Sequence, residues 1–69
     1  MNKIEEIGFN AGKIWSYLNN KNEPVDVLEL KFQLKLTNTD LYLALGWLSR
    51  EDKIVYLIEE NNRIKVKLK

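Results

Sequence analysis

Three helical segments followed by a β-hairpin predict an α+β domain with the element order of a winged helix-turn-helix. Residues 3–20 and 38–51 carry apolar side chains at spacings of three and four, as amphipathic helices do. A shorter helical segment, residues 27–35, lies between them. Residues 63–69 alternate strictly between apolar and basic side chains, as a strand with one buried face does. The chain has the length of one small domain, which we place at residues 1–69.

The composition argues against most kinds of catalysis. The 69 residues include no Cys and no His, so disulfides and the common zinc ligand sets are absent. The commonest general base and the best thiol nucleophile are absent for the same reason. We therefore expect no enzyme activity, no catalytic or metal-binding residues and no cofactor. A domain this small then needs a well-packed core or self-association to be stable.

Charge and hydropathy restrict the possible partners. Eleven basic and ten acidic residues give a net charge of +1, which creates no global field to attract a polyanion. No segment approaches the roughly 18 apolar residues of a membrane span. The N-terminal residues are acidic where a signal peptide would be basic. We expect a cytoplasmic protein with neither a membrane nor a small-molecule partner.

The first helix is predicted over residues 3–20. Gly8 and Gly12 are four residues apart and should share a face on which another element approaches closely. Asn10 is assigned to the polar face, and the polar run before Pro24 should end the helix. The predicted inward stripe consists of Ile4, Ile7, Ala11, Ile14, Trp15 and Leu18.

The second and third helices predict a helix-turn-helix motif, because very few residues separate them. Asp26 followed by Glu29 has the spacing of an N-cap and its capping-box partner. Thr37 followed by Asp40 repeats that spacing at the start of the third helix. Lys35 stands where many helix-turn-helix turns have Gly.

The C-terminal residues predict a hairpin. Residues 53–59 are rich in β-forming side chains, and Asn61-Asn62 suits a two-residue turn because Asn tolerates a positive φ. A very short strand at Pro24-Val25 would complete the sheet of a winged helix. A bare three-helix bundle with a disordered tail is the alternative, and the strict alternation in the tail argues against it.

Two motifs resemble the signatures of one small protein family. The first is GFNAGKIW at residues 8–15, followed by Leu18. The second is ALGWL at residues 44–48, followed by Arg50, Glu51, Lys53 and Ile54. The family consists of prokaryotic stand-alone winged helix-turn-helix domains of uncharacterised function. The resemblance covers almost the whole chain; it implies a winged-helix fold and a DNA-binding role, and it supplies no catalytic residue, cofactor or ligand.

Double-stranded DNA is the first candidate partner, since the second helix of such a motif lies in the major groove. Helical periodicity turns Leu41, Ala44, Leu45 and Leu48 inward. Asp40, Glu59 and Glu60 would repel phosphates, and the wing lysines could instead only solvate an edge strand. The predicted DNA-binding residues are Asn38, Thr39, Leu43, Gly46 and Arg50 of the third helix, with Lys65 and Lys67 of the wing on phosphates.

A protein-interaction surface is the second candidate, because the sequence has more apolar residues than one small core needs. Residues 54–58 are apolar on both strand faces, although a hairpin on one helical layer buries only one face. For Trp47, packing in the core against a neighbouring helix is the alternative to a place on this surface. The candidate surface comprises Leu28, Phe32, Tyr42, Leu43, Trp47, Tyr56 and Ile58. We expect a symmetric homodimer. A DNA-binding regulatory module and an interaction or homodimerisation module without DNA binding thus remain the two candidate functions.

Overall fold

The computed structural model describes residues 1–69 and has the predicted winged helix-turn-helix architecture. The strand at Ile64–Leu68 (β3) is central and pairs antiparallel with Val25–Asp26 (β1) and Ile54–Ile58 (β2), giving the order β1-β3-β2. No helix combines the length and hydropathy needed to cross a membrane. The elements in chain order are α1 (Lys3–Lys21), β1 (Val25–Asp26), α2 (Val27–Leu34), α3 (Asn38–Arg50), β2 (Ile54–Ile58) and β3 (Ile64–Leu68).

The helices end within one residue of the predicted positions, and short polar side chains begin each of them. Asp26 accepts a hydrogen bond from the backbone N–H of Leu28 at 2.8 Å. Thr37 Oγ1 accepts one from the N–H of Asp40 at 3.1 Å. These bonds satisfy donors that the first turn of a helix leaves unpaired. The two caps therefore form as predicted, and β1 lies at Val25–Asp26 rather than at Pro24-Val25.

The prediction that Glu29 and Asp40 are capping-box partners, in contrast, is wrong. Glu29 accepts a hydrogen bond from the Tyr17 hydroxyl and lies 3.3 Å from Lys21 Nζ, so its side chain joins α2 to α1. The full capping box is at α1 instead, where Asn2 and Glu5 bond each other's backbone N–H groups. The Glu29 carboxylate turns away from the backbone N–H that it would cap, because the Tyr17 hydroxyl and the Lys21 ammonium of α1 are within reach.

The turn between α2 and α3 uses a lysine where glycine is common. Lys35 adopts the left-handed conformation, with φ 56° and ψ 47°. The N–H of Leu36 donates to the Lys31 carbonyl at 3.0 Å, and the Leu36 side chain is buried. Burial of Leu36 and this hydrogen bond offset the strain, of about 1 kcal/mol, that a non-glycine residue bears there.

One hydrophobic core holds the helices to the sheet. Asn10, predicted on the polar face of α1, is only 7% exposed, whereas Ile4 and Trp15, predicted inward, are 68% and 38% exposed. The inward face is centred on Ile14: Asn10 lies within about 40° of it around the helix, and Ile4 and Trp15 lie about 80–100° away. The core residues are Ala11, Ile14, Leu18, Val25, Val27, Leu30, Leu36, Leu41, Ala44, Leu45, Leu48, Ile54 and Val66.

Only one of the two α1 glycines accommodates a close neighbour. A Cβ atom at Gly8 would lie 3.5 Å from the ring of Trp47, so the indole of α3 rests directly on α1 there. A Cβ atom at Gly12 would meet nothing within 4 Å. The close approach predicted from the pair is therefore confirmed at Gly8 and wrong at Gly12.

We expect Gly12→Ala to stabilise the domain by about 1 kcal/mol. Gly12 lies inside α1 with a negative φ, so alanine adds helix propensity without steric conflict. Urea denaturation followed by circular dichroism measures the change. A destabilised Gly12→Ala variant would contradict the open space seen at this position.

The wing loop differs from the predicted two-residue turn. The N–H of Glu59 donates to the Arg63 carbonyl at 2.8 Å, which leaves a three-residue loop, Glu60–Asn62. Asn61 and Asn62 both have a positive φ, as the sequence predicted.

Loop length matters because it sets the register of the hairpin. The three-residue loop pairs Ile58 with Ile64 and Tyr56 with Val66. A two-residue turn at Asn61-Asn62 would have placed lysines opposite Ile58 and Tyr56. A one-residue slip moves every side chain of a strand to the other face, so burial of the apolar face selects the longer loop.

Candidate nucleic-acid interface

The outward face of α3, next to the turn, is exposed to solvent. Thr39, Leu43, Gly46 and Arg50 lie along it and are all exposed, as is Asn38 at its start. The opposite face is anchored by side chains that are at most 4% exposed: Leu41, Ala44, Leu45 and Leu48. This burial fixes the orientation of the helix and leaves the predicted DNA-contact residues of α3 together on one surface.

Asp40 does not belong to this outward face. Its carboxylate lies 2.8 Å from Lys3 Nζ of α1, and Lys3 also lies 2.8 Å from Glu6. The Lys3 ammonium lowers the pKa of Asp40, and the carboxylates raise the pKa of Lys3. The sequence-based expectation that Asp40 repels a phosphate is therefore corrected: its charge is turned toward α1 and compensated there.

Basic side chains without an ion-pair partner lie on both helices of the motif. Lys31 of α2, Lys35 of the turn and Arg50 of α3 form no salt bridge in the structure. Lys31 Nζ lies 5.5 Å from the centroid of the Phe32 ring, a cation–π geometry. The motif thus carries three free positive charges and an exposed α3 face without a carboxylate.

The wing lysines are not brought together with that face. Val66 is fully buried against the helices, so its neighbours Lys65 and Lys67 point to the opposite side of the sheet. Lys65 Nζ lies 3.3 Å from Glu59, and Lys69 pairs with Asp52. Of the two predicted phosphate contacts, only Lys67 is free of an ion pair.

Arg63, which directly follows the wing loop, binds the start of α2. Its Nε and Nη2 donate to Asp26 Oδ2 at 3.0 and 2.8 Å. The pKa of Asp26 is lowered, first by the Leu28 N–H and then by Arg63. Asp26 therefore caps α2, as predicted, and also ties it to the wing through Arg63, a contact that the sequence did not reveal.

An apolar groove separates the helix-turn-helix from the wing. Leu28, Tyr42 and Ile64 line this helix–wing groove of about 230 Å³, together with Asp26 and Arg63. Phe32 lies one turn beyond Leu28 on α2 and is 68% exposed. The alternation of residues 63–69 assigned Ile64 to the buried face; Ile64 is exposed because it lies at the loop end of the hairpin, opposite the exposed Ile58.

Most of the remaining predicted interaction residues lie elsewhere. Trp47 packs on Gly8 at the α1 side of α3. The Tyr56 hydroxyl lies 2.6 Å from the Ser49 hydroxyl and 3.3 Å from the Leu45 carbonyl, so this ring packs toward the end of α3. Ile58, at the loop end of β2, is 75% exposed and pairs with Ile64, so of these three residues only Ile58 lies beside the groove. The seven residues therefore do not form one patch.

A helix-turn-helix with a buried anchor face, a short turn and a β-hairpin wing defines the winged helix-turn-helix class. Residues 1–68 match the model of a family described as winged helix-turn-helix domain (DUF2582). The chain belongs to this family, which confirms the resemblance drawn from its two sequence motifs.

Relatives occur in an archaeon and a bacterium. The uncharacterised protein MJ1608 of Methanocaldococcus jannaschii is 32% identical over 65 residues, covering 93% of this chain and 91% of the relative. The solution NMR structure of protein BT2368 from Bacteroides thetaiotaomicron is 34% identical and superposes with a TM-score of 0.78. That match covers 93% of this chain and 76% of the solved one.

Proposed function

We propose that this chain is a DNA-binding module of the kind that serves transcription regulation, acting in the cytoplasm through α3. The observation that supports this most is the composition of the exposed α3 face. Thr39, Leu43 and Arg50 project from it, and no carboxylate does, because Asp40 is held by Lys3. Anchored in this way, α3 is free to enter a major groove, as the second helix of a helix-turn-helix does.

Each side chain of this face has a distinct role in the proposal. Asn38 and Thr39 offer hydrogen bonds at the start of the helix, and Leu43 offers an apolar contact to a thymine methyl. Gly46 carries no side chain, so the helix backbone can approach the duplex at its centre. Arg50 binds a guanine edge or a phosphate. Because only Asn38 and Arg50 can make bidentate contacts to bases, we expect modest sequence selectivity.

Phosphate contacts in the proposal come mainly from the helix-turn-helix. Lys31 and Lys35 are unpaired, and Lys67 is the unpaired cation of the wing. Lys65 contributes only after leaving Glu59, to which it is 3.3 Å away. Few contacts imply weak binding, with a dissociation constant on the order of 10⁻⁴–10⁻⁶ M for non-specific duplex.

We expect Arg50→Ala to weaken binding to random duplex DNA by about tenfold and to reduce the salt slope of log K by about one. Fluorescence anisotropy of a labelled duplex between about 50 and 200 mM salt gives both quantities. Lys13→Ala is the control, because it removes one positive charge from α1, which holds none of the proposed DNA contacts; since Lys13 Nζ lies 3.5 Å from the Leu34 carbonyl, circular dichroism checks that this variant is folded.

Two results would contradict the proposal that α3 binds DNA. No binding at about 50 mM salt, or equal losses in Arg50→Ala and Lys13→Ala, would show that α3 does not direct DNA binding.

A second candidate is a protein-interaction module, and the helix–wing groove is the observation that favours it. Leu28 and Tyr42 are 51% and 59% exposed around this groove, on the side where a DNA-binding domain would meet a phosphate backbone. Exposed apolar clusters of this kind mark protein-binding surfaces. Unchanged DNA affinity in Tyr42→Ser, together with intact folding, would assign the groove a role separate from DNA; a lost affinity would make it part of the DNA surface.

A further inference from the structure

The two edge strands of the sheet differ in how well they are protected against pairing with another chain. β1 has only two residues, follows Pro24 and carries Asp26, which binds Arg63. Short length, proline and charge are the usual means by which an edge strand avoids pairing with another chain. β2 forms the other edge and has none of them: its five residues are Ile-Val-Tyr-Leu-Ile.

Backbone groups of β2 are left without partners along this edge. The hydrogen bonds from Glu59 N–H to the Arg63 carbonyl and from Lys69 N–H to the Lys53 carbonyl fix which residues face β3. Antiparallel pairing alternates, so Val55 and Leu57 also turn their backbone groups to β3. The N–H and C=O groups of Ile54, Tyr56 and Ile58 therefore point away from the sheet.

We propose that β2 pairs antiparallel with β2 of a second copy of this chain, about a two-fold axis at Tyr56. In this register Tyr56 faces its own counterpart, and Ile54 faces the partner's Ile58. The residues that meet are those whose backbone groups point outward, so they can exchange N–H···O=C bonds in pairs. The two sheets become one continuous sheet, and neither copy has an open β2 edge.

The side chains match in the same register. Val55 lies opposite the partner's Leu57 on the outer face, where Leu57 is exposed in the single chain. Ile58, 75% exposed, comes to lie beside the partner's Ile54. About a two-fold axis each residue meets the residue equally far from Tyr56 on the other side, so the apolar residues on both sides of Tyr56 pair with one another.

Charge complementarity selects a second copy rather than another protein as the occupant. The register places Lys53 opposite the partner's Glu59, and by symmetry this pair occurs at both ends of the strand pair. Opposite charges directly across two strands stabilise the pairing. The net charge of +1 per chain leaves little repulsion between copies. The pairing uses β2, which holds none of the α3 residues proposed to contact DNA, so it does not depend on the proposed DNA binding.

Sedimentation across micromolar to millimolar concentrations tests the proposal. We expect a concentration-dependent mass reaching twice the monomer value of 8.2 kDa. Lys53→Glu places Glu opposite Glu and should raise the dimer dissociation constant by about tenfold or more. The double variant K53E/E59K restores opposite charges across the two strands and should recover dimer relative to Lys53→Glu, although E59K also removes the Glu59–Lys65 ion pair within each chain. Lys31→Glu, the same charge change on α2, should leave the dimer unaffected.

Amide hydrogen exchange supplies an independent readout of the register. Raising the protein concentration should slow exchange at Tyr56 and Ile58 by more than about tenfold and leave Val55 and Leu57, already bonded to β3, unchanged. A monomer mass at all concentrations, or a dimer that Lys53→Glu leaves intact, would overturn the proposal.

Discussion

Replacing Leu30 by Ala is expected to lower the free energy of unfolding by about 3 kcal/mol. Leu30 of α2 is fully buried among residues of the single core, so truncation leaves a cavity that a well-packed interior fills only in part. A domain of this size has roughly 3–10 kcal/mol of stability to lose. The variant should therefore melt roughly 10–20 °C below the wild type.

Leu28→Ala is the matched control for that experiment. It makes the same chemical change two residues away on the same helix, where the side chain is 51% exposed and lines the helix–wing groove. We expect a loss below about 1 kcal/mol. Thermal and urea denaturation followed by far-UV circular dichroism measure both variants. Equal losses in the two would contradict the assignment of Leu30 to the core and Leu28 to the surface.

Asp26→Ala is expected to cost about 2 kcal/mol, the second largest effect. The change removes the N-cap of α2, its 2.8 Å bond to the Leu28 N–H, and the link to Arg63 of the wing. Asp26→Asn keeps a capping oxygen and loses the charge, so most of the stability should remain. Arg63→Ala removes an exposed partner and should cost less than Asp26→Ala.

The same carboxylate makes part of the stability pH-dependent. The Leu28 N–H and Arg63 hold the pKa of Asp26 below its ordinary value in the folded state. Its contribution is therefore fully present above about pH 4 and is lost as the pH falls through the lowered folded pKa. Stability measured against pH should fall less steeply below about pH 4 in Asp26→Asn than in the wild type. If stability fell equally steeply below about pH 4 in the two proteins, Asp26 would not be the group responsible for the loss.

Features encoded by neighbouring residues were predictable from the sequence. The caps at Asp26 and Thr37 and the buried face of α3 follow from spacing alone, because a helix repeats every 3.6 residues. The exposed face of α3, with Thr39, Leu43 and Arg50, follows from the same periodicity. The two motifs that resemble the family, at residues 8–15 and 44–48, lie within the first and third predicted helices.

Features that depend on distant residues were not predictable. Lys3 meets Asp40, and Asp26 meets Arg63, across 37 residues of chain, so no local pattern shows that either carboxylate is compensated. The hairpin register depends on which face the core buries, and this decided between a two- and a three-residue loop. The burial of Asn10 likewise depends on where the other helices place the centre of the α1 inward face.

Whether α3 carries the DNA-binding surface is tested most directly by NMR of the ¹⁵N-labelled protein titrated with a random duplex at low salt. We predict progressive chemical-shift changes at the amides of Asn38, Thr39, Leu43, Gly46 and Arg50, with small changes on α1. The shifts should diminish as salt is raised, since phosphate contacts release counterions. Unchanged amides on α3, with or without shifts elsewhere in the domain, would contradict the proposed function.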